Sequence, residues 1–130
     1  MKKNLLYLFL ILSLGFSIAS CEKEHGKKET KYVTLDVILA RGANYQLDLS
    51  AYGDADDLAT IITQATDYTI SEIVKNASTS KYLYNYTTAT TTKFSSTGKD
   101  QVVLKVYEEE GERCRDKGEA TIITINFTLQ

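Results

Sequence analysis

The sequence predicts an all-β fold, an antiparallel β-sandwich of about seven strands, and three observations point there. From Tyr32 onward apolar residues recur at every second position, the period of a strand with one buried face. Thr, Tyr, Val and Ile are plentiful, nine residues are tyrosine and none is proline or tryptophan, a composition suited to pleated, half-buried surfaces. The apolar runs are short, are bounded by Gly, Asn and Asp, and never settle into a sustained helical period. With 130 residues the chain has room for one domain.

The first stretch lies outside that fold. Lys2 and Lys3 precede an apolar run from Leu5 to about Leu14, followed by small residues: the layout of a secretory signal peptide, too short for a permanent span. Its end, Ile18-Ala19-Ser20-Cys21, resembles the bacterial lipobox. The resemblance implies cleavage between Ser20 and Cys21 and attachment of acyl chains to the Cys21 thiol. Each buried methylene adds roughly 0.8 kcal/mol, so several chains on one residue anchor firmly. Residues 1–20 are thus the expected signal, and residues 21–31 the lipidated cysteine and a flexible tether. Residues 22–31, EKEHGKKETK, have no apolar residue with which to bury surface. Glu22-Lys23-Glu24 is similar to the acidic export signals of surface lipoproteins in Bacteroidetes; the other reading is a plain solvated linker.

Residues 32–130 are the expected domain. YVTLDVILA sets Val33, Leu35, Val37 and Leu39 on one face, and Arg41-Gly42-Ala43-Asn44 is a turn. YQLDLSAYG alternates Tyr45, Leu47 and Leu49 with polar partners, and residues 53–57 break the pattern. LATIITQA is the third run. YTISEIV is the fourth, with Tyr68, Ile70, Glu72 and Val74 on one side and a second half that also suits a helical turn. YLYNY puts Tyr82, Tyr84 and Tyr86 on one side, and a Thr-rich loop follows whose one large apolar residue is Phe94. QVVLKVY and EATIITINFTL are the last two runs, joined by the charged EEEGERCRDKG. The final run is apolar on both faces, the mark of a strand central in its sheet.

The second half of this pattern resembles bacterial cadherin-like or immunoglobulin-like surface domains. In that resemblance Tyr84 and Tyr86 match a paired-tyrosine motif, Phe94 a plug residue, Gly98 and Asp100 a turn, and Val102, Leu104 and Val106 the next strand. Thr88 stands where the family has proline, and the Phe-to-Gly interval is longer than usual. The resemblance implies an immunoglobulin-like sandwich.

Charge and motif content narrow the function classes. The formal charge of −2, with acidic and basic residues interspersed, argues against nucleic acid as a partner. The single histidine, His25, lies in the tether, so no Ser-His or Cys-His pair is expected within the fold, and the chain reads as no enzyme. Asp54, Asp56 and Asp57 are the candidate metal residues, offering hard oxygens to calcium; the alternative is a solvated acidic turn with no cofactor. Tyr82, Tyr84 and Tyr86 are the candidate binding residues if exposed, or core if they point inward. Acylation of Cys21 would leave Cys114 without an intramolecular partner. The expected protein is a lipid-anchored outer-membrane lipoprotein, exposed at the surface or facing the periplasm. It would bind an envelope protein or glycan, or serve as an accessory subunit of a larger complex.

Overall fold

A computed structural model describes residues 29–54, 56–91, 98–108 and 119–130. The strands are β1 (Thr30–Leu39), β2 (Asn44–Asp48), β3 (Leu58–Thr63), β4 (Tyr68–Lys75), β5 (Tyr82–Thr88), β6 (Lys99–Tyr107) and β7 (Ala120–Leu129). They form a four-stranded sheet in the order β1-β7-β6-β3 and a three-stranded sheet in the order β2-β5-β4. Grouping strands two, four and five against three, six and seven, with the first strand beside the last, is the arrangement of an immunoglobulin-like sandwich.

Alternation decides which side chains meet between the sheets. Val102, Leu104 and Val106 of β6 and Ile123, Ile125, Phe127 and Leu129 of β7 are buried against Tyr84 and Tyr86 of β5 and Leu49. Phe127 stacks on Tyr86, with ring centroids 4.0 Å apart and planes 5° from parallel, and meets Tyr45 edge-on at 5.6 Å. Burying one such side chain is worth about 1.5–3 kcal/mol. β7 lies between β1 and β6, in the central place its two-faced apolar pattern predicts.

Four local features differ from the sequence reading. β1 runs parallel to β7, from Thr30 opposite Ala120 to Leu39 opposite Leu129, so the sandwich is not wholly antiparallel. β1 also starts inside the segment read as tether. The second run stops at Asp48, and Leu49–Tyr52 forms a 3-10 turn. The Asp48 carboxylate accepts from the Ser50 amide at 2.9 Å and the Ser50 hydroxyl at 2.6 Å, which caps that turn and competes with strand continuation. The fourth run is strand through Lys75, with no helical turn, but its register shifts between Tyr68 and Ile70. A bulge adds one residue and reverses the alternation, so buried Ser71 faces inward while Ile70 is exposed.

Candidate functional site

Strand direction sorts the connections onto two ends. At one end Glu29 enters β1, its carbonyl accepting from the Ala120 amide at 3.3 Å, and Glu108 meets Glu119. The 3-10 turn and the Asn76–Lys81 connection share that end. At the other end lie the β1–β2 turn, where the Arg41 amide donates to the Gln130 carbonyl at 2.9 Å, the β3–β4 connection, and the end of β5 and start of β6.

The candidate metal residues sit at the first end. The Asp54 amide donates to Asp57 Oδ2 at 2.9 Å and the Asp57 amide to the Asp54 carbonyl at 3.2 Å, a closed turn in which one carboxylate is already engaged. Asp56 is exposed. Among the described residues no group of three acidic, histidine or cysteine side chains is placed to hold a metal. Asp54 and Asp57 line an open cleft of about 590 Å³ with Lys31, Glu108 and Glu119.

Of the two readings of the tyrosine ladder, the structure takes the inward one. Tyr84 and Tyr86 are 0% and 1% exposed and belong to the core, while Tyr82 is half-buried against it. They form no exposed stacking platform, because β5 is the central strand of its sheet and its inner face looks across at β6 and β7. Ser20, Cys21, His25, Phe94 and Cys114 lie outside the described residues.

The buried hydroxyls feed a polar knot instead. Tyr86 donates to Asp100 Oδ2 at 2.8 Å and lies 3.1 Å from the Asp67 carbonyl. Asp100 also accepts from the amides of Thr66 (2.8 Å), Asp67 (2.9 Å) and Gln101 (2.9 Å) and from the Thr66 hydroxyl (3.0 Å). Burial alone would push the Asp100 carboxyl up, yet these donors hold it below the usual carboxylate range. Beside it the fully buried Asp67 takes a 3.0 Å ion pair from Arg41. Thr88, where the resembled family has proline, donates its amide to the Ala43 carbonyl at 3.1 Å and accepts from the Gly42 amide at 2.6 Å. Proline could not supply that amide, and threonine here fastens the β1–β2 turn.

One surface open to contact is the outer face of the four-stranded sheet. Pairing aligns Asp36 of β1, Asn126 of β7 and Gln101 of β6 in one row across three strands. Asn126 donates to Asp36 Oδ1 at 2.9 Å, and Gln101 donates to Asn126 Oδ1 at 2.8 Å. β3 stops pairing with β6 at Val103, and Gln64 to Asp67 cross toward the other sheet. The notch left behind is an open groove of about 610 Å³ lined by the Asp36–Asn126–Gln101 row, Thr63, Gln64, Thr66, Lys99 and Thr128. Exposed apolar side chains flank it, Ile38 on β1 and Ile62 at the β3 bulge. Neighbouring strands are spaced by about 4.8 Å, so the row presents carboxylate and amide groups at regular intervals. Such groups match the hydroxyls of a polyol or the backbone of a peptide. Sequence reading passed over this row because its members lie on three distant segments; the available signal was Asn126, a polar residue at an outward position of an apolar central strand.

No family model matches the chain, and no curated protein matches it. Among solved structures, amebosin is similar at a TM-score of 0.42 and 16% identity, covering 78% of this chain and 99% of that one. A sialyltransferase from Photobacterium damsela is similar at a TM-score of 0.40 and 12% identity, covering 78% of this chain and 18% of that one. The mouse clustered cadherin PcdhgC3, domains EC1-3, is similar at a TM-score of 0.40 and 13% identity, covering 76% of this chain and 31% of that one. Among the described residues no helix is long and apolar enough to cross a membrane.

Proposed function

We propose that the protein is a lipid-anchored module of a bacterial cell envelope, held by acylated Cys21 after removal of residues 1–20. It binds a glycan or an extended protein segment without catalysing a reaction. The observation that carries the reading is the groove with its hydrogen-bonded Asp36–Asn126–Gln101 row, open on a sheet face that no other part of the described chain covers. The two carboxylates buried among the described residues support the non-catalytic part: Asp100 is taken up by structural donors and Asp67 by Arg41. The position of Glu29 supports the anchored part, since it enters β1 at one end of the sandwich and the groove opens on the flank.

The test is retention of envelope glycans and proteins by the immobilised chain, compared with Asn126→Ala and Gln101→Ala variants of equal melting temperature. Retention that falls in both variants supports the reading, and retention indifferent to both sinks it. The second reading, an accessory subunit docked by strand pairing, draws on the free edge of β1. It predicts co-purification with one envelope complex that survives both substitutions.

A further inference from the structure

Among the described residues the sandwich has four edge strands, β1 and β3 in one sheet and β2 and β4 in the other. Three of them carry a feature that discourages pairing with another chain. β2 is only 5 residues long, and β3 and β4 are each broken by a register shift. β1 is different: its 10 residues keep one register along the whole of β7. It also carries the two most exposed large apolar residues of the described chain, Tyr32 at 79% and Ile38 at 67%.

The backbone of β1 has its other side unpaired among the described residues. The carbonyls of Glu29 and Leu39 accept from Ala120 and Gln130 of the neighbouring β7 segment. Backbone groups of successive strand residues point opposite ways, so the residues between and in phase with these two bond to β7. Tyr32, Thr34, Asp36 and Ile38 therefore aim their amides and carbonyls at the free edge, and their side chains lie on the outer face.

That edge is complementary to itself. Tyr32 and Ile38 stand at equal distances on either side of Leu35, as do Thr34 and Asp36. We propose that β1 pairs antiparallel with β1 of a second copy about a two-fold axis at Leu35. Tyr32 then lies opposite the partner's Ile38 and Thr34 opposite the partner's Asp36. Aromatic and β-branched residues are favourable cross-strand partners, and a two-fold axis forms each such pair twice. Two terms select the register. A shift of two residues one way sets Asp36 directly against the partner's Asp36, which like charge disfavours, and a shift the other way gives up both Tyr32–Ile38 pairs. The axis stands perpendicular to the sheet, so the two four-stranded sheets join into one and both grooves open on the same side. This inference does not depend on what the groove binds.

Pairing is read by disulfide trapping in cells making the full chain with its native N-terminus, in a Cys114→Ser background. One tagged copy carries Thr34→Cys and a second, differently tagged, carries Asp36→Cys. Directly opposed, hydrogen-bonded residues have Cα atoms about 5.5 Å apart, inside the disulfide range of about 4.4–6.8 Å. Like residues sit on the diagonal at about 7–8 Å, outside it. The expected result is a mixed dimer band and no band from either variant alone. A band from one variant alone, or none from the mixture, overturns the proposal. Light scattering on the full chain carrying Cys21→Ser and Cys114→Ser checks the same point without new cysteines in the strand. A dimer is expected, and Tyr32→Lys, at unchanged melting temperature, weakens it by about tenfold or more. A monomer at every concentration, which would leave the edge to a different protein, overturns it as well.

Discussion

Asp100 shows how a single carboxylate can hold two sheets in register. It sits on β6 yet accepts from the β3–β4 connection and, through Tyr86, from β5. Replacing it with alanine strands several buried donors, at an expected cost of about 3 kcal/mol or more, measured by denaturant unfolding. Its depressed folded pKa has a definite sign. The stabilisation is complete above the unfolded value of about 3.9 and is lost as pH falls through the lower folded value. The melting temperature should therefore fall below about pH 4, and Asp100→Asn, weaker at neutral pH, should show a shallower fall over that range. At the alkaline limit, burial pushes the Tyr84 hydroxyl up to about 12. This contribution is complete below about pH 10 and is lost as pH rises toward the folded value, so tyrosinate absorbance from Tyr84 should appear well above the pH at which an exposed tyrosine ionises. The two buried hydroxyls are unequal: Tyr86→Phe removes the donor to Asp100, whereas Tyr84→Phe removes only a contact with Ser71 at 2.8 Å. The first should cost about 2 kcal/mol and the second about 1 kcal/mol, a difference that equilibrium unfolding resolves.

Elements with one buried face were legible, because burial imposes period two on the residues themselves. β1, β5, β6 and β7 could be read almost to their ends for that reason. The bulges in β3 and β4 were not legible: an inserted residue is specified by contacts across the sheet, and Thr69 or Ile62 carries no local mark of it. The parallel pairing of β1 with β7 was hidden for the same reason, since a strand's pattern tells which face is buried and not which neighbour lies alongside. The end of β2 could have been caught from Asp48 and Ser50, an acceptor and donor at capping distance. Gly98, placed in a turn by family resemblance, proves to have φ +64°, and a Cβ there would lie 2.9 Å from the Leu129 carbonyl oxygen. Gly98→Ala should cost at least about 1 kcal/mol by thermal unfolding, through backbone strain and a contact with β7 that backbone atoms cannot relieve.

For the molecule as a whole, the proposed anchor and the observed closed acidic turn lead to distinct experiments. Mass spectrometry of the membrane-extracted protein should find Cys21 first in the chain and heavier by its acyl groups, and Cys21→Ser should release the protein from the membrane fraction. Melting temperatures in EDTA and in millimolar calcium should coincide, since Asp57 is spent on the Asp54 amide; a calcium-dependent rise would reinstate the turn as a metal site. The parallel pairing of β1 with β7 has a mechanical consequence. A pull entering before Glu29 and resisted at Gln130 draws two parallel strands past each other, since their opposed ends are the ones held. All the rungs of that ladder then share the load at once and must fail together. Had β1 run the other way, the same pull would have opened the rungs one at a time from the end. Pulling single molecules from Glu29 against Gln130, and then from Glu29 against Ala120, should give a high rupture force in the first geometry and a low one in the second. On this account the domain resists most along the line that joins Glu29 to Gln130.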